Sequence, residues 1–421
     1  MRAIPGIRGT ALALMRERDF RIIWSVGILA EFGRRNEILV WSLLLFKVIE
    51  APASYLMLLW VFNNLPRPFV SPIAGYIADR FSRQRVMLLT QAVNVVTVAA
   101  LLALMLNGLD SLQSWHIFIV AFVQGTTKAI EDPSRRTGIF DIVGRDRLVN
   151  AMSLDVIAQN VGKMIGPVVG GLLIEFSGYP AAYIFLLFIH LDNLWLISRL
   201  RIPEAGLRPA MPPIWRGTGN AFGFAWKTGT LVGMLSITIV MNAWAFPLQQ
   251  FIPAVGTELL GVGETLVGVL VAADGFGHLA GAAMMASTRG IRFHGRYFAF
   301  GSIIVLLASA AYVWSPWYVL AFVLLLVSGL GQAGFSTMQS SIMMLVSPPE
   351  MRGQMMGLLS FCIGVANLAG ALEIFFVVSI LTLQQTISLH ALAALALLVP
   401  AIAFTPLVRR PLAQPEPQSA Q

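Results

Sequence analysis

The sequence predicts an all-helical membrane protein with twelve transmembrane helices, arranged as two pseudo-symmetric bundles of six, and with both termini in the cytoplasm. Only 12% of the 421 residues are charged and 57% are hydrophobic, whereas about a quarter of a soluble protein is charged. The apolar residues form runs long enough to cross a bilayer, and the basic residues fall in the short segments between them. Too few charges remain to cover a water-facing surface, so the chain belongs in lipid.

About twenty apolar residues are needed to cross the roughly 30 Å hydrocarbon core. By that length, six spans are predicted in the first half of the chain, at 20–46, 53–77, 86–107, 115–134, 153–176 and 181–199. Six more are predicted in the second half, at 230–254, 264–287, 297–314, 317–345, 354–380 and 386–407.

Arginines predict the orientation of these spans. They recur in alternate loops, for example at 135–136. The loops on the opposite side contain acidic residues instead, namely Asp110, Glu258 and Glu264. Because basic loops stay on the cytoplasmic side, the termini and the central linker are predicted to be cytoplasmic. The excess of 29 Lys and Arg over 21 Asp and Glu therefore reflects orientation, and no nucleic-acid partner is expected.

Composition divides the chain into four segments. They are a first six-helix half (1–199), a Pro- and Gly-rich cytoplasmic linker with a possible amphipathic helix (200–229), a second six-helix half (230–408) and a disordered tail (409–421). An internal repeat supports the division, because residues 125–154 can be laid on 329–358 without a gap. The shared positions fall at the same stage of each half, as a duplication predicts.

Several classes of function find no support in the sequence. The single cysteine, Cys362, allows no intrachain disulfide, and the first twenty residues contain no apolar run typical of a signal peptide. No phosphate-binding loop, metal-ligand spacing or nucleophile elbow is present. We therefore expect neither an enzyme nor an ATP-driven pump, and no cofactor or metal.

A charged loop follows the second span, in GYIADRFSRQRV. Its candidate residues for a conformational gate are Gly75, Asp79, Arg80, Arg83 and Arg85. The loop resembles the signature G-x-x-x-D-R-x-x-R-[KRQ]-[KR] of the major facilitator superfamily, except that Ser82 replaces a second glycine. The resemblance implies that Asp79 acts as a latch holding the outward-open state; the alternative is a basic loop that only sets topology.

The fifth span contains GKMIGPVVGG, with Gly162, Gly166, Pro167, Gly170 and Gly171. These residues resemble the antiporter motif of the proton-coupled exporters in that family. The alternative is that spaced glycines simply allow close helix packing.

The run 131–154 resembles the segment joining helices four and five in the enterobactin-exporter and macrolide-efflux-like branch. Many drug antiporters hold an arginine in helix four, where this chain has Ala121. The resemblance therefore implies that this element is missing or is replaced by Lys128.

Four charges lie near the midplane of the first span, in AEFGRRNEI: Glu31, Arg34, Arg35 and Glu37. Each costs about 2.5–3.5 kcal/mol at that depth, so they should pair and face an aqueous cavity. Helical spacing predicts two pairs, with Glu31 beside the arginines and Arg34 also reaching Glu37. The cluster is either a salt bridge that joins helices or a site for substrate or proton.

Other ionisable residues inside predicted spans are His190, Asp192, Asp274, His278 and Glu373. Asp274 and His278 are i, i+4 neighbours able to exchange a proton, and the alternative is that they only form a helix contact. Asp155 lies near a cytoplasmic end, and is predicted to be an interfacial residue or a partner of Lys163.

The resemblance covers nearly the whole chain and implies a secondary active transporter with alternating access. We expect a monomer in a bacterial-type inner membrane that uses the proton gradient to export a small amphipathic or anionic organic molecule. The alternatives are movement of lipids or lysolipids, uptake of a nutrient, or a sensor or assembly factor that transports nothing.

Overall fold

The computed structural model describes residues 13–70, 81–144, 147–203, 214–287, 292–348, 351–409 and 411, which form helices and no strand. The first part of the chain holds α1 (Arg18–Leu43), α2 (Ser54–Asn64), α3 (Arg83–Leu106), α4 (Ser114–Val143) and α5 (Leu148–Arg199). After the linker come α6 (Ile214–Lys227), α7 (Gly229–Trp244), α8 (Glu264–Ser287), α9 (His294–Tyr312), α10 (Tyr318–Val346), α11 (Arg352–Val378) and α12 (Leu383–Phe404). A π-helical turn (Leu44–Val48) extends α1, and short turns of mixed type (Pro247–Leu259) follow α7.

Eight stretches of the described residues are long and apolar enough to cross a bilayer. They are Arg83–Leu106, Asn150–Arg199, Gly229–Leu259, Glu264–Met285, His294–Tyr312, Tyr318–Val346, Gln354–Val378 and Leu383–Phe404. The chain is thus an all-helical integral membrane protein, as predicted. The count of twelve spans stays a prediction.

The helices α4 and α5 run well past the predicted ends of their spans. The predicted fourth span stops at residue 134, but α4 continues to Val143 with Pro133 inside it. A proline removes one backbone hydrogen bond without ending a membrane helix when side chains satisfy the freed groups, and the Thr137 hydroxyl donates to the Pro133 carbonyl at 2.8 Å. In α5, Gly178 has φ 80° and ψ 172°, so the helix kinks between the predicted fifth and sixth spans.

The chain folds as two compact units. Unit 1 is Met1–Ala210 with Val262–Ala272, and unit 2 is Met211–Gly261 with Ala273–Gln421. In unit 1, α1 packs along α5, and α3 packs against both α4 and α5. In unit 2, α9 packs along α10, and α7 contacts α11 and α12. Each unit has its own apolar core, centred on residues such as Trp41 and Tyr183 in unit 1 and Phe298 and Met338 in unit 2.

Equivalent helices begin at a constant offset in the two units. Ser114 and Tyr318 begin α4 and α10, and Leu148 and Arg352 begin α5 and α11, so both pairs lie 204 residues apart. The repeat extends to packing. Gly125 of α4 lies against the backbone carbonyl of Asn63, and Gly329, which is 204 residues later, lies against the backbone carbonyl of Asp274.

Candidate functional site

A polar cavity of about 70 Å³ lies inside unit 1, where α1 to α5 each contribute side chains. It is lined by Gly27, Ala30, Glu31, Arg34, Glu37, Asn63, Gln91, Asn94, Gln124, Lys128, Glu131, Asp132, Arg135, Gln159 and His190. This volume admits a handful of water molecules and is small beside the ~300–1,000 Å³ pockets that hold drug-sized ligands. The cavity is therefore a chamber of charged and amide groups with room for water.

The charged turn of α1 forms one wall. Glu31 pairs with both Arg34 and Arg35, and the Arg35 Nε–Glu31 Oε1 distance is 2.8 Å. Pairing around Glu31 is as predicted, but the second predicted pair is wrong, because Arg34 does not reach Glu37. Glu31 and Glu37 lie six residues apart, so their side chains leave the helix in different directions.

Glu37 is fully buried and takes its partners from other helices. Gln124 Nε2 donates to Glu37 Oε1 at 2.7 Å, and His190 Nε2 lies 3.3 Å from the same oxygen. Gln91 Nε2 donates to both the His190 carbonyl and His190 Nδ1, each at 2.9 Å. Because Nδ1 accepts, the proton of a neutral His190 lies on Nε2 and faces Glu37.

Arg135 and Asp155 form a buried ion pair at the next level of the cavity. A second contact, Arg135 Nη2 to Asp155 Oδ2, is 3.3 Å long, and Gln159 Nε2 donates to Asp155 at 2.7 Å. Asp155 is 1% exposed and Arg135 4%. The predictions that Asp155 is interfacial or pairs with Lys163, and that Arg135 lies in a loop, are therefore wrong. Both errors follow from the predicted end of the fourth span at 134, nine residues before α4 ends.

Three further charges of α4 face the cavity: Lys128, Glu131 and Asp132. In the described part of the chain, none of them makes a hydrogen bond or an ion pair within 4 Å. Glu131 is 7% exposed. The structure thus leaves charges of both signs open to the water in the cavity. Lys128 is a candidate from the sequence, whereas Glu131 was not singled out there and is only the first residue of the run 131–154.

Of the five candidate gate residues, the structure describes Arg83 and Arg85. Gly75, Asp79 and Arg80 lie outside the described residues. Arg83 Nη1 lies 2.7 Å from Asp141 Oδ2, with both side chains buried, and so connects the first turn of α3 to the last turn of α4. Arg85 is exposed.

The glycines of the antiporter-like motif bring α5 against α1. A Cβ at Gly162 would lie 2.7 Å from Phe32 N, one at Gly166 2.7 Å from Phe32 O, and one at Gly170 2.5 Å from Asn36 Oδ1. Side chains at these positions would push the helices apart.

The motif also contacts the start of α8 within unit 1. Gly171 lies against the Glu264 carbonyl, and the Pro167 carbonyl lies against Gly268. Glu264 also pairs with Lys47 at 2.7 Å.

The candidates in unit 2 are not among the residues that line this cavity. Asp274 Oδ1 accepts from Gln249 Nε2 at 3.4 Å, and the two ring nitrogens of His278 face Gln332 and Ser336. Glu373 contacts His390, a residue that the sequence did not single out. Among the described residues, no cluster of three or more His, Cys, Asp or Glu side chains is placed to hold a metal ion.

Comparison with known proteins identifies a family. Residues 23–371 match the model of the Major Facilitator Superfamily, and a second match covers 249–421. An uncharacterized MFS-type transporter of Bacillus subtilis, YfiS, is 26% identical over 146 residues, which are 34% of this chain and 33% of that protein. A protein of Pectobacterium atrosepticum named for multidrug resistance, MdtD, is 25% identical over 173 residues, 41% of this chain and 33% of its own. The matched segments thus span about a third of the length of these relatives.

Solved structures share the fold. A POT family transporter in complex with a thioalcohol-conjugated peptide has a TM-score of 0.75 at 10% identity, over 93% of this chain and 97% of its own. The nucleoside transporter NupG has a TM-score of 0.70 at 13% identity, over 91% of this chain and 98% of its own. At such low identity these likenesses concern the fold alone.

Proposed function

The chain belongs to the Major Facilitator Superfamily, and from that membership we propose that it is a secondary active transporter that exports a small amphipathic or anionic organic molecule in exchange for protons. Transport, and not an enzymatic reaction, is the activity that a membrane-embedded charged cavity supports. The proton gradient across a bacterial-type inner membrane supplies the energy, and the monomer is the working unit.

The proposed topology has twelve spans with both termini and the linker in the cytoplasm, and the linker 200–229 separates the two halves along the sequence. Each predicted span overlaps a described helix, and the constant offset between α4–α5 and α10–α11 supports a duplicated six-helix unit. The α6 helix (Ile214–Lys227) exposes Phe222 and Trp226 beside buried Ala221 and Ala225. We propose that α6 lies along the cytoplasmic surface of the membrane.

One observation carries the functional proposal: Lys128 and Glu131 line a polar cavity and make no ion pair among the described residues. A charge inside the membrane is retained when it binds a substrate or a proton, since it is costly otherwise. Lys128 suits an anionic group of the substrate, and Glu131 suits a hydrogen-bond donor or a cationic group of the substrate. Export is supported by the antiporter-like glycines and by the resemblance to proteins named for multidrug resistance.

The test is proton movement in proteoliposomes that hold the purified protein and a trapped pH indicator. An imposed proton gradient is combined with lipophilic cations, siderophore-like anions and lysolipids. We expect substrate-dependent proton flux with one of the first two classes. Glu131→Gln and Lys128→Gln should each lower it by about tenfold or more, because a lost charge-assisted contact costs about 1.5–3 kcal/mol.

Asp110→Asn is the matched control, since Asp110 is exposed in the turn before α4 and outside the cavity. It should transport like the wild type. If lysolipids move without proton flux, lipid translocation becomes the better explanation and drug export is rejected. If the folded protein shows no flux with any of the tested compounds, the proposal is contradicted, and a function as a sensor or assembly factor that transports nothing is favoured.

A further inference from the structure

His390 of α12 is held between two hydrogen-bond acceptors in unit 2. Its Nδ1 lies 2.7 Å from the backbone carbonyl oxygen of Thr386, and its Nε2 lies 2.9 Å from Glu373 Oε2 on α11. The imidazole is buried, at 3% exposed, whereas the Glu373 side chain is 44% exposed. The edge of the Trp244 ring system covers it at a centroid distance of 6.0 Å.

Counting donors shows that this arrangement requires an additional proton. A carbonyl oxygen only accepts, so the imidazole N–H must lie on Nδ1 and donate to Thr386. A neutral imidazole has no second N–H, and Nε2 would then present a lone pair to an ionised carboxylate. The 2.9 Å contact is a hydrogen bond only if one more proton lies between Nε2 and Oε2, either on the carboxyl group or on an imidazolium.

The other two histidines in candidate sites do not need this proton. The two ring nitrogens of His278 face the Gln332 amide and the Ser336 hydroxyl, which can each donate or accept. His190 accepts on Nδ1 from Gln91, and its Nε2 lies 3.3 Å from Glu37 Oε1 without making a hydrogen bond. The contacts of both rings are compatible with a neutral imidazole, so the Glu373–His390 pair differs from them in its proton count.

Titratable residues are sparse on the helices that pack against α11 and α12. Helix α7 has no titratable residue, and α12 has only His390. Helix α11 adds Arg352 and Cys362, which are 21 and 11 residues before Glu373. Helix α9 places Tyr312 at this end, next to the Trp314–Ser388 hydrogen bond, and His294, Arg296 and Tyr297 at its other end.

In the described part of the chain, Glu373 has no ion-pair partner other than His390. An ionised Glu373 would therefore stand without a permanent cation in one of the most apolar helices, whose best 18-residue window has a mean hydropathy of 2.1. Ionisation there is costly. Water reaching the exposed side of the carboxyl group lowers that cost and accepts the proton. Proton binding is therefore coupled to whether this carboxyl group meets lipid or water.

We propose that Glu373 and His390 together bind the proton that the transporter exchanges for its substrate. This deepens the proposed function and rests on it. On release, the proton between Oε2 and Nε2 passes to water and leaves a carboxylate beside a neutral imidazole. On uptake, the same hydrogen bond forms again.

The first experiment counts protons without any substrate. The purified full-length protein is titrated from about pH 5 to about pH 9, beside Glu373→Gln and Glu175→Gln. In Glu373→Gln, the new side-chain amide can donate to Nε2 of His390 and so preserves the hydrogen bond and the fold without a titrating proton. Glu175 is a matched carboxylate, exposed and bonded to the Thr265 backbone N–H at 2.8 Å. We expect the wild type and Glu175→Gln to release one proton per chain more than Glu373→Gln.

Equal proton release from the wild type and Glu373→Gln would overturn the proposal. The carboxylic-acid stretch in infrared difference spectra gives a second readout, and its pH-dependent change should shift in His390→Gln. In proteoliposomes, Glu373→Gln should move substrate without proton flux. Unchanged proton flux would remove the pair from coupling even if it binds a proton. Absence of any flux in the wild type would contradict the export function and leave the titration result standing.

Discussion

Arg135 and Asp155 show how a buried charge depends on its partner. Both side chains are 5% exposed or less, and each is the other's only ion-pair partner among the described residues. Removing one member of a buried pair leaves the other charge uncompensated, at a cost of about 3–5 kcal/mol. We therefore expect Asp155→Leu to lower the midpoint of thermal unfolding in detergent markedly.

The repeat supplies the control for this variant. The positions 204 residues later are Gln339 and Leu359, so unit 2 has a neutral pair at the equivalent place. The double variant Arg135→Gln, Asp155→Leu should unfold within about 1 kcal/mol of the wild type, because no charge is left buried. A double variant as unstable as the single one would mean that packing, and not charge, is what Asp155 provides.

Single residues were predictable from the sequence where their partners are close in the chain. Glu31 and Arg35 are one helical turn apart, and their pairing follows from spacing alone. The partners of Glu37 are on α4 and α5, 87 and 153 positions away, and no spacing rule reaches them. The same limit applies to Glu373 and His390, which meet across a short hairpin between helices.

Glycines determine how closely the helices approach one another. A Cβ at Gly329 would overlap the backbone carbonyl of Asp274, which cannot move without shifting α8, whereas a Cβ at Gly364 of α11 would meet nothing within 4 Å. We expect Gly329→Ala to cost about 1–3 kcal/mol through overpacking. Gly364→Ala should be neutral or stabilising by up to about 1 kcal/mol, as helix propensity predicts.

Thermal unfolding of the two alanine variants checks this prediction. Equal effects would show that helix propensity, and not close approach, dominates at both positions. Gly125→Ala gives an independent repetition in unit 1, where the carbonyl of Asn63 takes the place of Asp274.

Helix bounds were predictable to within a few residues where apolar runs end at charges. The α12 helix begins at Leu383 and ends at Phe404, against a prediction of 386–407. The prediction failed for α4, because the adjacent Arg135 and Arg136 are typical of a basic cytoplasmic loop. In this helix Arg135 has a buried partner, Asp155, and the helix continues for ten residues beyond Pro133.

Positions that line the polar cavity of unit 1 correspond to less polar residues in unit 2. Lys128 and Glu131 of the unit 1 cavity correspond, 204 residues later, to Gln332 and Phe335. Phe335 is 3% exposed and stacks on Phe298 at a centroid distance of 4.9 Å. The equivalent place in unit 2 is thus occupied by an aromatic core.

Placing glutamine at both positions tests this division directly. Phe335→Gln should cost about 3 kcal/mol, because it removes a large buried side chain and buries an amide. Glu131→Gln should change the free energy of unfolding by less than about 1 kcal/mol, because cavity water solvates either group. Similar losses of stability from the two variants would mean that the unit 1 cavity is as dry as the core of unit 2.

The constant offset of 204 residues also bears on how the two halves diverged after a duplication. Under the duplication that the offset supports, Glu131 and Phe335 descend from one ancestral codon, as do Arg135 and Gln339. At least one member of each pair has changed since the copies separated. If the ancestor had the charged pair, the loss of either charge alone would have left the other one buried without a partner. Neutral Gln339 and neutral Leu359 must therefore have arisen together, or in a background stable enough to tolerate one unpaired charge.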